Sequence, residues 1–317
     1  VMTGALAIVL IYGISRAGGW SSVMDNAASL PGYLSLTSTF DVASGSEVKY
    51  NFLTIISTAA WGLGYFGMPH ILVRFMAIED EKKLVLSRRI ASVWVVIAMT
   101  AGVLIGVVGL GMSKTGALET LTGSNSETII VRIAGIISQH NALTALVAGI
   151  ILAGILAATM STADSQMLAA ASGVSQNIVH DFFKIKISEK TNLLIARLTI
   201  IGIAVVSIFL ARNPDSSVFK IVSFAWAGFG GAFGAVVLCS LFWKRCNLAG
   251  AIAGIVSGGA TVFIWKYLVR PMGGILDIYE LLPAFIVSLL FIIVVSLLTK
   301  TPDEEIIREF EAASKKA

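Results

Sequence analysis

The sequence predicts an all-α integral membrane protein, and three observations carry that prediction. Of 317 residues, 56% are hydrophobic and only 13% are charged, about half the charged share usual in a soluble domain. The charges are clustered, so apolar runs reach the roughly 20 residues needed to cross a bilayer core. No run shows the strict alternation of a membrane β-barrel strand.

Eight candidate spans follow, near residues 1–20, 51–78, 88–112, 142–175, 191–211, 217–242, 248–268 and 280–299. The first opens at Val1 directly into apolar residues, without initiator Met, charged leader or cleavage site. That start is expected of the C-terminal portion of a longer chain. Residues 21–50, rich in Ser, Asp and Gly, predict short interfacial pieces. Between the third and fourth spans, ETIIVRIAGIISQ has apolar positions at helical spacing, which predicts an amphipathic helix on the outer face. Residues 1–300 thus form a transmembrane helical domain, and 301–317 a tail too polar to insert.

Basic residues set the expected orientation. The connections 79–89, 181–197 and 243–247, with the tail from Lys300, hold 14 Lys or Arg, and the opposite connections hold six. The first set, and the C-terminus with it, is expected in the cytosol. The pI near 9.1 reflects this bias, so no nucleic-acid partner is implied. Cys239 and Cys246 have no metal-ligand spacing and read as packing residues of a reducing compartment.

Span 51–78 is the least regular. Gly62, Gly64, Gly67 and Pro69 fall within eight residues. Glycine costs about 1 kcal/mol and proline about 3 kcal/mol against alanine in a helix interior. Proline also frees the carbonyl four residues back, that of Tyr65. Non-helical backbone at membrane depth is tolerated where protein or a water-filled cavity satisfies it, and broken helices mark transporter binding sites. Trp61, Gly64, Tyr65 and Pro69 are therefore the candidate substrate-binding set. Trp61 and Tyr65 stand one turn apart, and the break is expected to offer free N–H groups to a carboxylate. A plain proline kink lined with packed aromatics is the alternative.

Span 142–175 carries AATMSTADSQ at 157–166. The carbonyl of residue i and the side chains at i+3 and i+4 share one patch of a helix. Ala158 O, Ser161 Oγ and Thr162 Oγ1 thus present three neutral oxygens together, a donor set that suits a weakly held Na⁺. Back-bonding to the preceding turn is the competing reading. So is close packing along the small-residue stripe of Gly154, Ala158, Ser161, Ser165, Ala169 and Ser172. Asp164 is a carboxylate inside an apolar span, placed for an ion path or gate, or for a solvated structural role. In span 217–242, SFAWAGFGGAFGAVV sets Trp226 and Phe229 among small residues, as a gating helix or as ordinary packing. Among enzyme signatures, GxSxG, HExxH, the P-loop and a strand-borne GxGxxG are all missing, so the chain is not expected to be an enzyme.

Three stretches carry a family resemblance: WGLGYFGMPHILVRFMA at 61–77, ILAATMSTADSQML at 155–168 and NPDSSVFKIVSFAWAGFGGAFG at 213–234. They resemble the sodium:solute symporter family, and within it the bacterial sodium/proline branch. The resemblance implies a fold of five-plus-five inverted repeats with extra helices, with Na⁺ held between the first and eighth core helices. It implies Na⁺ ligation by Ala158, Ser161 and Thr162, and substrate contact by Trp61, Tyr65 and Pro69. Gln166 and segment 223–229 match positions linked to transport or gating. Asp164 departs from the small polar residue of some relatives. The chain aligns from about the fifth core helix, so the helices before it are needed to complete both sites. The implied function is Na⁺-coupled uptake of L-proline by alternating access across the bacterial inner membrane. Another amino acid, pantothenate or a small organic acid is the alternative cargo, and a non-transporting membrane sensor or scaffold the alternative role.

Overall fold

The computed structural model describes residues 2–185, 188–212 and 217–314. Lys186, Lys315 and Lys316 of the orientation count, and residues 213–216 of the third quoted stretch, lie outside these. The chain opens with α1 (Met2–Arg16), which stops at Gly18 and Gly19, both with φ near +90°. That left-handed conformation suits glycine and turns α2 (Trp20–Ala28) by 78°. A two-stranded hairpin follows, β1 (Ser38–Asp41) with β2 (Ser46–Lys49). Asp41 builds its turn by accepting from Ser44 Oγ at 2.7 Å, Ser44 N–H at 3.0 Å and Ala43 N–H at 3.3 Å. These bonds, led by the Ser44 hydroxyl, hold the Asp41 carboxyl below its ordinary range.

The expected span 51–78 is interrupted. Asn51 accepts from Thr54 N–H and starts α3 (Phe52–Ala59), which passes into α4 (Trp61–Gly64) and a 3₁₀ turn, Tyr65–Gly67. Met68 is extended, and Pro69 opens α5 (Pro69–Met76). Proline at the first helical position loses no intrahelical bond, so the break sits where the sequence placed it. Next come α6 (Lys83–Lys114) and α7 (Ile129–Ser138). The 31-residue α8 (Ala142–Ser172) begins at a reciprocal Asn141–Thr144 cap and continues as a π-helix, Gly173–Phe182. After α9 (Glu189–Leu210), α10 (Val218–Phe229) and α11 (Ala235–Phe242) flank a π-turn, Gly230–Gly234. Then come α12 (Leu248–Ile264), α13 (Leu281–Leu298) and α14 (Glu304–Ser314).

Six helices among the described residues are long and apolar enough to cross a membrane, seven if the bent pair α1–α2 counts as one span. The chain is a multi-pass, all-α membrane protein. Cys239 and Cys246 are free thiols, and burial raises that of Cys246.

The chain divides into two units. In the unit formed by 1–48 and 78–218, Val9, Val23, Ile105, Val108, Met112, Ile133, Ile137 and Ile151 form a buried core. The expected amphipathic helix is α7, which turns Ile133, Ala134 and Ile137 into that core. In the other unit, 49–77 and 219–317, α12 and α13 approach closely through Gly250, Gly254 and Gly258. Ser288 Oγ on α13 donates to the Gly254 carbonyl at 2.9 Å across that contact.

Candidate functional site

The interrupted helix places Trp61, Gly64, Tyr65 and Pro69 in the second unit, beside α10. Gly64 is buried at the crossing. A methyl group there would overlap the Trp226 indole, and one on Gly67 would overlap the Phe229 carbonyl oxygen. Gly230 faces back, and a methyl on it would lie 2.7 Å from Gly64 Cα. Glycines on both partners therefore bring two backbones to a separation that side chains would forbid. The π-turn Gly230–Gly234 lies at this crossing, so the irregular segments of the two helices meet each other.

That closeness fixes the aromatic groups. Trp226 Nε1 donates to the Trp61 carbonyl oxygen at 3.0 Å. The Trp61 ring stacks on Phe219 at 5.3 Å, on Trp226 at 5.8 Å and on Tyr279 at 6.0 Å between centroids. Tyr65 meets the edge of Trp226 at 4.8 Å and stays 56% exposed. Phe229 and Phe233 are both exposed and stack at 6.3 Å. The expected pair thus differs in setting: Trp61 is stacked at the centre of the aromatic cluster, and Tyr65 is exposed at its edge, its hydroxyl without a hydrogen-bond partner among the described residues.

Two of the N–H groups beyond the break already have partners. The N–H groups of Ile71 and Leu72, at the start of α5, both donate to the Met68 carbonyl, at 3.0 and 3.1 Å. The extended Met68 swings its own carbonyl over the helix start and satisfies these two donors, so neither is open to a carboxylate in this conformation.

Ala158, Ser161, Thr162, Asp164 and Gln166 lie on α8 in the first unit, and all five are exposed. Thr162 Oγ1 donates to the Ala158 carbonyl at 3.3 Å, a long back-bond of the kind the competing reading anticipated. Among the described residues, Ser161 Oγ has no hydrogen-bond partner, whereas Ser165 Oγ donates to the Ser161 carbonyl at 2.9 Å. Gly154 of the small-residue stripe is buried, but from Ala158 to Ser172 the stripe is exposed or half-buried. No group of three or more His, Cys, Asp or Glu is poised for a metal among the described residues. Neutral oxygens are what the α8 patch offers a cation, and three of them are fewer than a hard cation's usual six or more.

Several residues of the aromatic site escaped the sequence reading. Tyr279, in the linker before α13, donates from its hydroxyl to the Ser223 carbonyl at 2.6 Å and from its N–H to Ser57 Oγ at 3.1 Å. Beside it Glu280 is 1% exposed and accepts from Arg270 at 2.9 Å, with Lys266 3.6 Å away. The signal was present: FIWKYLVR ends one span in two cations, and DIYE starts the next with two acids.

The model of the family described as "Sodium:solute symporter family" matches residues 1–258. The "Osmoregulated proline transporter OpuE" of Bacillus subtilis is 37% identical over 315 residues, covering 99% of this chain and 60% of the relative. The "Sodium/proline symporter" of Haemophilus influenzae is 39% identical over 264 residues, 83% of this chain and 51% of that one. The "High-affinity proline transporter PutP" of Bacillus subtilis is 35% identical over 311 residues, 98% of this chain and 61% of the relative. The chain spans about half to three-fifths of the length of these curated relatives.

Proposed function

The chain belongs to the sodium:solute symporter family, and from that premise we propose that its protein takes up L-proline with Na⁺ by alternating access. The observation that carries the reading is the interrupted helix, held open at Gly64–Pro69 against a second irregular helix and lined by Trp61 and Tyr65. Three relatives whose printed names specify proline support the choice of cargo. In this reading Trp61 walls the pocket as a rigid apolar surface for the pyrrolidine ring. Tyr65 lends its exposed hydroxyl to the polar end, and Gly64 and Pro69 keep the backbone in its broken shape.

Ala158 O, Ser161 Oγ and Thr162 Oγ1 supply part of the Na⁺ shell on α8, with helices of the longer relatives completing it. Binding the ion would replace the long Thr162 back-bond, a small loss that suits an ion which must later leave. Asp164 and Gln166, further along the same helix, serve the ion's path, and Trp226 and Phe229 move with α10 as the site opens. The carrier lies in the cell's inner membrane with the C-terminus in the cytosol, as the distribution of basic residues favours. One charge moving through 100 mV releases about 2.3 kcal/mol, enough for roughly 50-fold accumulation at 1.4 kcal/mol per tenfold.

The test is radiolabelled proline uptake into proteoliposomes holding the full-length protein, with an inward Na⁺ gradient and with K⁺ in its place. Uptake confined to the Na⁺ arm is expected. Equal uptake in both arms overturns the coupling, and no proline uptake in either arm overturns the cargo.

A further inference from the structure

Tyr279 enters the aromatic cluster from outside the two helices that cross there. It is 7% exposed, and its ring lies 14° from parallel to Trp61. Its hydroxyl reaches α10 through the Ser223 carbonyl at 2.6 Å, and its N–H reaches α3 through Ser57 Oγ at 3.1 Å. A single residue therefore ties α3, α4 and α10 together. The Ser223 carbonyl lies inside a helix, so the short bond from the phenol is a cross-link between elements and adds nothing to the helix itself.

Tyr279 is in turn held by its neighbours. The buried Glu280 carboxylate draws in Arg270 at 2.9 Å and Lys266 at 3.6 Å, and Arg270 also donates to Asp277 at 2.8 Å. Lys266 Nζ stands 4.0 Å from the centre of the Phe224 ring on α10. The linker between α12 and α13 is thus clamped at both ends by charge, with Tyr279 projecting from the clamped part.

We propose that Tyr279 is a positioning residue for the substrate helix: it fixes Trp61 and the break at Tyr65–Met68 relative to α10, and the Glu280–Arg270–Lys266 cluster fixes Tyr279. The substrate role rests on the reading of Trp61 given above, whereas the geometric role does not. Any opening of α10 away from the broken helix must part the phenol from Ser223 or unstack it from Trp61. Tyr279 thereby sets how readily the break opens.

Tyr279→Phe keeps the ring and removes only the hydroxyl. Two readouts are taken on the full-length protein. The first is hydrogen–deuterium exchange of residues 61–68 in detergent, which needs no substrate. The second is proline uptake kinetics in proteoliposomes. Loss of one net hydrogen bond predicts exchange about fivefold faster in 61–68, with segment 284–292 of α13, where Ala284, Phe285, Ser288 and Ile292 are buried, unchanged. It also predicts a KM for proline raised about fivefold, with the maximal rate within about twofold. Ser57→Ala, which removes the other tether, is expected to change exchange in the same direction. Wild-type exchange in 61–68 for both variants overturns the proposal, and so does faster exchange spread evenly over the protein. Faster local exchange in the variants, alongside a wild-type protein that fails to carry proline, would overturn the transport reading while the positioning role stands.

Discussion

Substituting Gly64 by alanine sets two effects against each other, and the structure decides between them. Alanine is favoured over glycine in a helix by about 1 kcal/mol, and Gly64 has ordinary helical angles, φ −65° and ψ −31°. On backbone grounds alone the change should stabilise. The new methyl, however, would occupy the volume of the Trp226 indole, which is stacked on Trp61 and bonded to its carbonyl at 3.0 Å. Displacing the indole forfeits a hydrogen bond of about 1 kcal/mol and an aromatic contact of about 0.5–1.5 kcal/mol. Overpacking a filled site costs a further ~1–3 kcal/mol. The net is a loss of about 1.5–4.5 kcal/mol, and its middle value of about 3 kcal/mol is a fall of about 6–12 °C in Tm at about 2–4 °C per kcal/mol. Gly62, two residues earlier and on the other side of the helix, is the control, because nothing lies within 4 Å of a methyl added there. Gly62→Ala should gain up to about 1 kcal/mol. The assay is thermal unfolding in detergent, followed by a thiol-reactive dye that reports exposure of the buried Cys239. A Gly64→Ala protein as stable as wild type, or two glycine variants shifted alike, would refute the crossing geometry.

Other consequences are smaller. Trp226→Phe keeps an aromatic ring but leaves the Trp61 carbonyl without its donor, so stability should fall by about 1–2 kcal/mol in the same dye assay. The affinity for proline should fall more than the maximal rate. Burial, and then the Glu280 charge, raise the pKa of Tyr279 above its ordinary 10.0. The sign follows: an acid raised in the folded state stabilises fully below pH 10 and loses that contribution as pH climbs through the folded value. Burial also raises Tyr33, so phenolate absorbance should show late-ionising tyrosine, and Tyr279→Phe should remove one tyrosine from that late part without altering the earlier steps. A titration unchanged by the substitution would contradict the buried position.

Much of the fold was legible because bilayer thickness imposes a length rule that composition alone reveals. The break at 65–69 was legible too, since Pro69 and three glycines have costs that only an interruption removes. What escaped was pairwise. Nothing within 21–50 announced the hairpin except an Asp followed by a Ser-Gly pair, and its register rests on Asp41 bonds to Ser44 and Ala43. The partner of Gly64 was likewise hidden, because a glycine at a crossing does not name the helix it meets. Tyr279 lies more than 200 residues beyond Trp61, a separation at which periodicity carries no information. On α8 Thr162 Oγ1 lies 3.3 Å from the Ala158 carbonyl, a geometry on which both competing readings drew.

The proposal that Na⁺ drives proline uptake through the oxygens of α8 stands or falls on the hydroxyls of Ser161 and Thr162. Its most direct test is the initial rate of proline uptake against Na⁺ concentration, in proteoliposomes with the full-length protein and with a Ser161→Ala, Thr162→Ala double variant. Loss of two ligands worth together about 1.4 kcal/mol predicts a half-saturating Na⁺ concentration about tenfold higher, with proline affinity preserved once Na⁺ is saturating. A double variant whose Na⁺ dependence matches wild type would contradict the claim and return the two hydroxyls to a structural role.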